Sequence, residues 1–336
     1  MNRRLSLFAA GKGNGRGGAS RRGRAGGRVL VALLCGMFAL LPGCGPFPAV
    51  ESAHQAAPIT VETYEGTFAT VNSFIVSNGK SLVIIDAQRK SAEAEKLVAR
   101  VKRYHLPVTD IVITHGHTDH FTGMPVLLKA FPAARIVVAK EAIRRDIKNY
   151  AIYMGASGAT AAEPVLEPAL RPRTAATPDG FDYERTIHVL PGNSLAMDGG
   201  GRLELTANYK PTEAPHMTTI YIPAVNALFL SDLGYNHVHF WMGDDLSREA
   251  ILNWRAALES VLARYKDLNP TVYPGHGPPG DLSIVEAGIG YIDDILRVTT
   301  PPTTRARAFS EMIKLYPDYK ESDFFLKYSL ENLVPL

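Results

Sequence analysis

Hydrophobic residues along the chain recur at two spacings, one typical of strands and the other of helices. Short apolar runs bounded by turn residues predict strands, and the pair Asn78-Gly79 between two of them indicates a hairpin. The predicted strands are residues 59–64, 71–77, 81–86, 110–114, 134–139, 185–189, 203–209, 218–222, 227–231 and 271–273. Apolar residues three or four apart predict helices at 91–105, 126–131, 141–154, 246–265, 281–298 and 305–315. Hairpins, then alternating strands and helices, then hairpins again indicate two mixed sheets with helices outside them.

The first fifty residues have a different pattern from the rest. An unbroken apolar run, Val29–Leu41, follows an Arg-rich and Gly-rich stretch, and its length suits a signal peptide rather than a membrane span. We therefore expect residues 1–43 to be a signal peptide and residues 44–58, rich in Pro and Ala, to be a tether. The segment Leu41-Pro42-Gly43-Cys44 resembles the lipobox of bacterial lipoproteins, which implies a lipid anchor at Cys44 and a protein facing the periplasm or the exterior. The alternative is an ordinary cleaved signal peptide and a soluble periplasmic or secreted protein.

The net charge changes sign once the leader is set aside. The whole chain has 36 Lys and Arg against 33 Asp and Glu, which gives a formal charge of +3. Residues 1–50 hold eight of the basic residues and no acid, so subtracting eight from 36 leaves 28 basic against 33 acidic residues. An acidic body disfavours binding to nucleic acid through its phosphates. The composition, 46% hydrophobic and 21% charged, excludes a collagen-like, disordered or multi-span membrane protein.

Cysteine is confined to the leader. The two Cys of the chain are Cys35, in the apolar run, and Cys44. A protein cleaved at Cys44 would have no thiol left in its folded domain for a disulfide, a nucleophile or a metal ligand. The chemistry must then come from His, carboxylate and hydroxyl side chains.

A cluster of metal-ligand residue types follows the predicted strand 110–114. Three His and one Asp fall within six residues, His115-Gly116-His117-Thr118-Asp119-His120. In an extended loop, His115 and His117 point the same way and can share one ion, while Asp119 and His120 diverge and can serve a second. Gly116 allows a sharp backbone turn between ligands. Imidazole and carboxylate suit Zn²⁺ and also accept Fe or Mn, so the segment predicts a metal site.

The segment resembles the HxHxDH signature of the metallo-β-lactamase superfamily, and residues 60–280 contain that family's later ligands in order. The resemblance implies an α/β fold, the metallo-β-lactamase αββα sandwich, with two mixed β-sheets and helices on their outer faces. It places this domain at residues 59–300, with a C-terminal helical extension, 301–336, packed on it. It also implies two Zn²⁺ ions, with Fe or Mn as alternatives, held by His115, His117, Asp119, His120, His216, Asp232 and His276.

The resemblance gives the later residues separate roles. His216 matches the third ligand of the first metal, Asp232 the carboxylate that bridges both metals, and His276 the last ligand of the second. Asp86 matches a structural acid near the site. One departure concerns His216, because the family's third His usually follows a Gly and begins a His-Thr-x-Gly turn. Here Pro215 precedes it and Met217 follows it.

The resemblance implies a hydrolase in which a hydroxide bridging the two metals attacks a carbonyl. Two Zn²⁺ ions bring four positive charges, and Asp119, Asp232 and the hydroxide bring three negative charges. The remaining positive charge can lower the pKa of the water and attract an anionic transition state. We expect Asp119 to orient the hydroxide. Tyr235 is a candidate donor to the developing oxyanion, with packing at the cleft edge as its alternative role.

The bridging Asp232 favours the lactonase, glyoxalase II and phosphodiesterase-like branches of the family. We therefore predict hydrolysis of a lactone, ester or amide bond of a small molecule. A metallo-β-lactamase and a glyoxalase II-like thioester hydrolase are alternatives, and a non-catalytic metal-binding envelope protein is an alternative of another class. The expected partner is a small-molecule substrate, without nucleic acid, and with the membrane contacted only through the anchor at Cys44. Candidate residues for the cleft are Tyr150, Tyr153, Met154, His237, His239, Phe240, Trp241 and Met242.

Overall fold

The computed structural model describes residues 58–157, 168–243 and 245–335, which lie within one compact unit. The predicted signal peptide, both cysteines and the tether up to residue 57 lie outside the described residues. Among the described helices, none has the length and apolar character needed to cross a bilayer.

The first sheet contains six strands that lie side by side in chain order. They are β1 (Thr60–Glu65), β2 (Asn72–Ser77), β3 (Leu82–Ile85), β4 (Val108–Val112), β5 (Arg135–Val138) and β6 (Ile187–Val189). The first three are antiparallel and the last three continue parallel to β3. The hairpin expected at Asn78-Gly79 joins β2 to β3, where Asn78 Oδ1 accepts the amide hydrogens of Lys80 and Ser81. Gly79 there has a φ of 76°, which Gly adopts without strain.

The second sheet contains five strands in the order β11-β10-β9-β8-β7. They are β7 (Ser194–Ala196), β8 (Arg202–Thr206), β9 (Thr219–Ile222), β10 (Ala227–Tyr235) and β11 (Thr271–His276). Strands β10 and β11 are parallel and the others antiparallel. The sheets face each other across a buried apolar cluster, in which the rings of Phe74 and Phe229 lie 5.0 Å apart.

Helices cover the outer face of each sheet. Against the first sheet lie α1 (Ser91–Lys102), α2 (Thr118–Phe121), α3 (Met124–Ala130), α4 (Glu141–Ser157) and α5 (Tyr183–Thr186). Against the second lie α6 (Arg248–Tyr265), α7 (Ser283–Val298), α8 (Arg305–Leu315) and α9 (Lys327–Leu333). This four-layer arrangement of two mixed sheets between helices confirms the predicted sandwich.

The residues after 300 share a core with the domain before them. Ala308, Met312, Phe325 and Leu330 are buried in the same apolar cluster as Trp254 of α6. A turn of π-helix, Ser322–Leu326, connects α8 to α9 and lies close to the cavity described below. The C-terminal segment therefore packs on the domain through apolar contacts.

Several elements differ from the predicted ones at their ends. The predicted strand at 185–189 begins as the helical turn α5, because Asp182 accepts the amide hydrogen of Arg185 and caps a turn there. The predicted strands 227–231 and 271–273 run on to Tyr235 and His276, which pair with each other. These two extensions bring polar residues to the end of the second sheet.

Candidate metal centre

The candidate ligands lie where strands of both sheets end. The His-rich segment follows β4 and runs into α2, and all of its six residues except His117 are buried. Asp232 lies within β10, whose pairing with β11 is interrupted on both sides of Ser231, and Ser231 itself has a φ of 51°. A bulge of this kind re-aims side chains along a strand. His276 ends β11, so both sheets contribute to one site.

The first ligand group consists of His115, His117, Glu213 and Asp232, whose ligand atoms all lie within 4.8 Å of one another. His117 Nδ1 lies 2.6 Å from Glu213 Oε1. His115 Nε2 lies 3.7 Å from Glu213 Oε2 and 3.6 Å from Asp232 Oδ2. Two imidazoles and two carboxylates therefore face one point.

The second ligand group consists of Asp119, His120, Asp232 and His276, with the same spread of ligand atoms. His120 Nε2 lies 3.1 Å from Asp232 Oδ1, and His276 Nε2 lies 3.3 Å from Asp232 Oδ2. Asp119 Oδ2 is 3.5 Å from His276 Nε2. Asp232 thus belongs to both groups, as a bridging carboxylate would.

In three of the imidazoles, the nitrogen that faces away from the ligand groups contacts another polar atom of the chain. His120 Nδ1 lies 2.8 Å from Asp86 Oδ2, and His276 Nδ1 lies 2.6 Å from the carbonyl oxygen of Ala69. His115 Nδ1 lies 3.1 Å from the hydroxyl of Thr114. Such contacts set the ring orientation of metal-binding His residues. Asp86 accordingly occupies the supporting position that the resemblance implied.

Several atoms that face into the two ligand groups have no hydrogen-bond partner. This holds for Nε2 of His115, His120 and His276, for both oxygens of Glu213, and for Asp232 Oδ1, all of them buried. Buried polar atoms without partners are costly, and their convergence on two points is what a pair of cations would satisfy. The residues present therefore fit a dinuclear metal site.

Six of the seven predicted ligands come together in these groups, and His216 does not. Its Nδ1 lies 2.6 Å from Asp146 Oδ2 of helix α4, and its side chain is 34% exposed. The ligand position of the first group is occupied by Glu213, whose side chain is 0% exposed. The sequence reasoning missed Glu213. The signal that could have found it was Pro215 before His216, the same departure from the family pattern noted above.

Burial and charge interactions between these side chains shift their pKa values. Burial raises the pKa of Glu213 to about 7, with His117 opposing the shift. Burial acts to lower the pKa of His117, but the Glu213 carboxylate outweighs it and raises the value to about 9. Burial alone would raise the pKa of Asp232, yet the imidazoles of His120 and His276 hold it well below its usual range. The carboxylate of Asp232 is therefore ionised and surrounded by imidazoles.

Two glycines allow the ligands to approach closely. A Cβ on Gly275 would lie 2.0 Å from Asp232 Oδ1, so no larger residue fits beside the shared carboxylate. A Cβ on Gly116 would lie 2.9 Å from Asp146 Cβ. Gly116 is required by the close approach of α4, which replaces the sharp turn that the sequence suggested.

Tyr235 lies beside the second group. Its hydroxyl donates a hydrogen bond to Asp232 Oδ2 at 3.3 Å, and its ring stacks on His276 at 4.8 Å. Burial raises the pKa of Tyr235 well above its ordinary value, so the hydroxyl keeps its proton. The structure therefore places Tyr235 at the centre and directs its proton to the shared carboxylate.

A cavity of about 290 Å³ opens above the ligands. Its floor includes His117, Asp119, Glu213, Asp232 and His276. Its walls are mainly apolar or aromatic and are formed by Phe68, Arg89, Tyr150, Tyr153, Met154, Tyr235, Trp241, Phe324 and Phe325.

Four of the residues that the sequence proposed for the cleft do not line this cavity. Phe240 and Met242 are buried in the core of the second sheet. His239 is also buried, with Nδ1 3.0 Å from the hydroxyl of Tyr291, and the ring of His237 packs near Tyr319. The chain turns after Tyr235, which carries these side chains away from the ligands.

Comparison with known proteins gives one family and several distant relatives. The family model described as the metallo-beta-lactamase superfamily matches residues 66–276. A metallo-beta-lactamase type 2 of Bacillus cereus is 24% identical over 226 residues, 66% of this chain and 73% of the relative. A lactamase-like protein of Pestalotiopsis microspora is 29% identical over 110 residues, 31% of this chain and 33% of the relative. Atrochrysone carboxyl ACP thioesterase of Claviceps purpurea is 35% identical over 71 residues, 21% and 22% of the two chains. The chain thus spans a third or less of the length of both fungal relatives.

Proposed function

The chain belongs to the metallo-beta-lactamase superfamily, and on that premise we propose that it is a metal-dependent hydrolase that cleaves a lactone, ester or amide bond of a small molecule. The observation that carries this proposal is the pair of ligand groups that share Asp232 at the floor of a cavity. We propose Zn²⁺ for both positions, with Fe or Mn as ions that the same His and carboxylate ligands accept.

The residues around the cavity have separate roles in the proposed reaction. Two bound divalent ions supply the acidity that activates water and the positive charge that polarises a carbonyl oxygen. Asp119 lines the cavity and offers a carboxylate that can orient water and hold its proton. Tyr235 fixes the orientation of Asp232 through its hydroxyl hydrogen. Its predicted role as donor to a developing oxyanion requires that this hydrogen turn from Asp232 to the substrate.

The cavity walls support an aromatic or branched apolar group on the substrate. Phe324 and Phe325 from the C-terminal π-helical turn face the same space as Phe68 and Trp241. The ring of Phe324 lies 5.7 Å from that of Phe68 and 5.6 Å from that of Trp241. Aromatic walls of this kind favour flat or branched apolar groups through burial and ring contacts. Arg89 adds a guanidinium to the lining, which favours a substrate that also carries an acidic group.

A substrate panel tests the reaction class. The panel contains aryl and alkyl esters, lactones, amides, acyl thioesters, β-lactams and phosphodiesters, assayed with the zinc-loaded full chain and with Asp119→Asn. We expect the highest kcat/KM on an aromatic ester or lactone, and its loss in the Asp119→Asn variant. Turnover restricted to phosphodiesters, or none on any member, would contradict the proposal.

A change in the cavity wall tests the substrate class. Phe324→Ala removes a ring from the cavity, so we expect KM for an aromatic ester to rise roughly tenfold while the rate on a small acetyl ester stays the same. Leu315→Ala, in an exposed position of α8, is the matched control and should leave the KM and rate for both substrates unchanged. An equal loss on both esters would contradict an aromatic-binding role.

Two of the alternative functions have some support from relatives. The Bacillus cereus relative is a metallo-beta-lactamase, and the Claviceps purpurea relative acts on an acyl carrier protein thioester according to its name. Cleavage of a β-lactam or of a thioester therefore remains the second candidate, and the panel separates them. A non-catalytic metal-binding protein predicts stoichiometric zinc without hydrolysis of any panel member. A purely structural metal site predicts that His120→Ala unfolds the chain, whereas a catalytic site predicts a folded and inactive variant.

The proposed location follows from the leader sequence. We propose export and lipid anchoring at Cys44, with a soluble periplasmic or secreted protein as the alternative. Fractionation of cells that express the full chain or Cys44→Ser tests this, because the anchored protein should move from the membrane fraction to the soluble fraction in the variant. An unchanged distribution would contradict lipidation at Cys44.

A further inference from the structure

Glu213 is buried in a position where an isolated carboxylate is unfavourable. Its side chain is 0% exposed, and neither oxygen has a hydrogen-bond partner. Its ionic neighbours are His115 and His117, two rings that themselves converge on the first group. Burying an uncompensated carboxylate costs several kcal/mol, so a residue of this kind is retained where a cation balances it.

His117 and Glu213 lie close enough to bind the same ion. Their atoms Nδ1 and Oε1 lie 2.6 Å apart, yet Oε1 makes no hydrogen bond of acceptable geometry. An ion bound by both atoms would account for their close approach. The loop from Thr212 to Ala214 is buried and holds the carboxylate there.

His216 is held elsewhere by a partner of its own. Asp146 Oδ2, on α4, lies 2.6 Å from His216 Nδ1, and α4 also packs against Gly116. The side chain of His216 is 34% exposed, and it belongs to neither ligand group among the described residues. The contact with Asp146 therefore accounts for the position of His216 without a metal.

We propose that Glu213, and not His216, is the third protein ligand of the first metal. This proposal rests on the dinuclear site of the proposed function. Each group then has two imidazoles, one carboxylate of its own and the shared Asp232. The two positions have the same donor set, which zinc, iron and manganese all accept. The added carboxylate also lowers the formal charge of the loaded centre by one relative to a centre with His216.

Metal stoichiometry of the full chain tests the proposal without an activity assay. The chain is dialysed against buffered zinc, and the zinc content is measured by mass spectrometry for wild type, Glu213→Gln and the matched variant His216→Gln. We expect two ions per chain in wild type and in His216→Gln, and one in Glu213→Gln. Circular dichroism establishes that each variant is folded. If Glu213→Gln folds poorly, Glu213→His, which supplies a different ligand at the same position, should bind two ions.

The outcomes separate this proposal from the proposed function. Two ions retained by Glu213→Gln, or one ion lost from His216→Gln, would overturn the assignment of Glu213. A wild-type chain that binds no zinc, iron or manganese would instead overturn the dinuclear hydrolase itself.

Discussion

The second ligand group takes its own ligands from segments that the sequence marks clearly, whereas the first group takes one ligand from an unmarked loop. Asp119 and His120 lie in the His-rich segment, and His276 lies between two glycines at a strand end. Glu213 lies in a loop between β8 and β9 with no repeated spacing. The comparison teaches that order along the chain identifies a ligand reliably when a strand end or a dense local motif positions it, and poorly when an unmarked loop does.

Replacement of the shared carboxylate should affect both groups and have the largest effect. Asp232→Asn removes the charge that the imidazoles of both groups face, so we expect both ions to be lost and activity to fall by more than roughly 100-fold. Zinc content and hydrolysis of the best panel substrate are the measurements. A variant that keeps both ions would show that the two groups are independent.

Replacement of Asp86 should weaken the second group and spare the first. Its carboxylate holds His120 Nδ1 at 2.8 Å, and we expect Asp86→Asn to reduce the affinity of one ion by roughly 10-fold to 100-fold. Competition with a fluorescent zinc chelator gives the two affinities. Ser231→Ala is the matched change in the first group, because the Ser231 hydroxyl lies 3.2 Å from His115 Nδ1. If both variants weaken the same ion, the assignment of the groups is wrong.

A buried His outside both groups supplies a baseline for pH effects. Burial lowers the pKa of His239 to about 4, below the ordinary value of 6.5. The unfolded chain therefore binds a proton between these values when the folded chain does not. The free energy of unfolding therefore keeps its full value above pH 6.5 and falls by about 3 kcal/mol, on account of His239, as the pH decreases to about 4.

His239→Asn should remove this part of the pH dependence and leave metal binding unchanged. Asn keeps a polar atom near the hydroxyl of Tyr291, which lies 3.0 Å from His239 Nδ1. Urea unfolding of the metal-free chain from pH 7 to pH 4 should give a smaller fall in unfolding free energy for the variant than for wild type. Equal slopes would show that the pKa of His239 is the same in the folded and unfolded chain.

The layers of the fold were predictable because the hydrophobic pattern determines which faces are buried. Strand β10, buried along its whole length, reads as an apolar run up to Ser231. Its continuation to Tyr235 was not predictable, because the bulge at Ser231 depends on pairing with β11, a strand far along the chain. The helical turn α5 was hidden for a similar reason, since β-branched Ile187 and Val189 dominate the local pattern.

The candidate site was predictable up to the loop that carries its last ligand. Residue type and order located Asp232 and His276, and each lies in a strand that positions its side chain. The loop with Glu213 and His216 offers two ligand types three residues apart. Which of them faces the first group depends on Asp146, which binds His216 from a helix about seventy residues earlier in the chain. Short-range pattern holds no information on that contact.

The π-helical turn Ser322–Leu326 places two rings in the cavity although it lies beyond residues 66–276, the part that the family model matches. Of the two rings, Phe325 packs on the ligand residue His276, with ring centroids 5.3 Å apart, whereas Phe324 packs on Phe68 and Trp241. Natural variation at Phe324 is expected to diversify what the protein accepts while the reacting centre stays intact, so orthologues that differ at this position should differ in preference before they differ in chemistry.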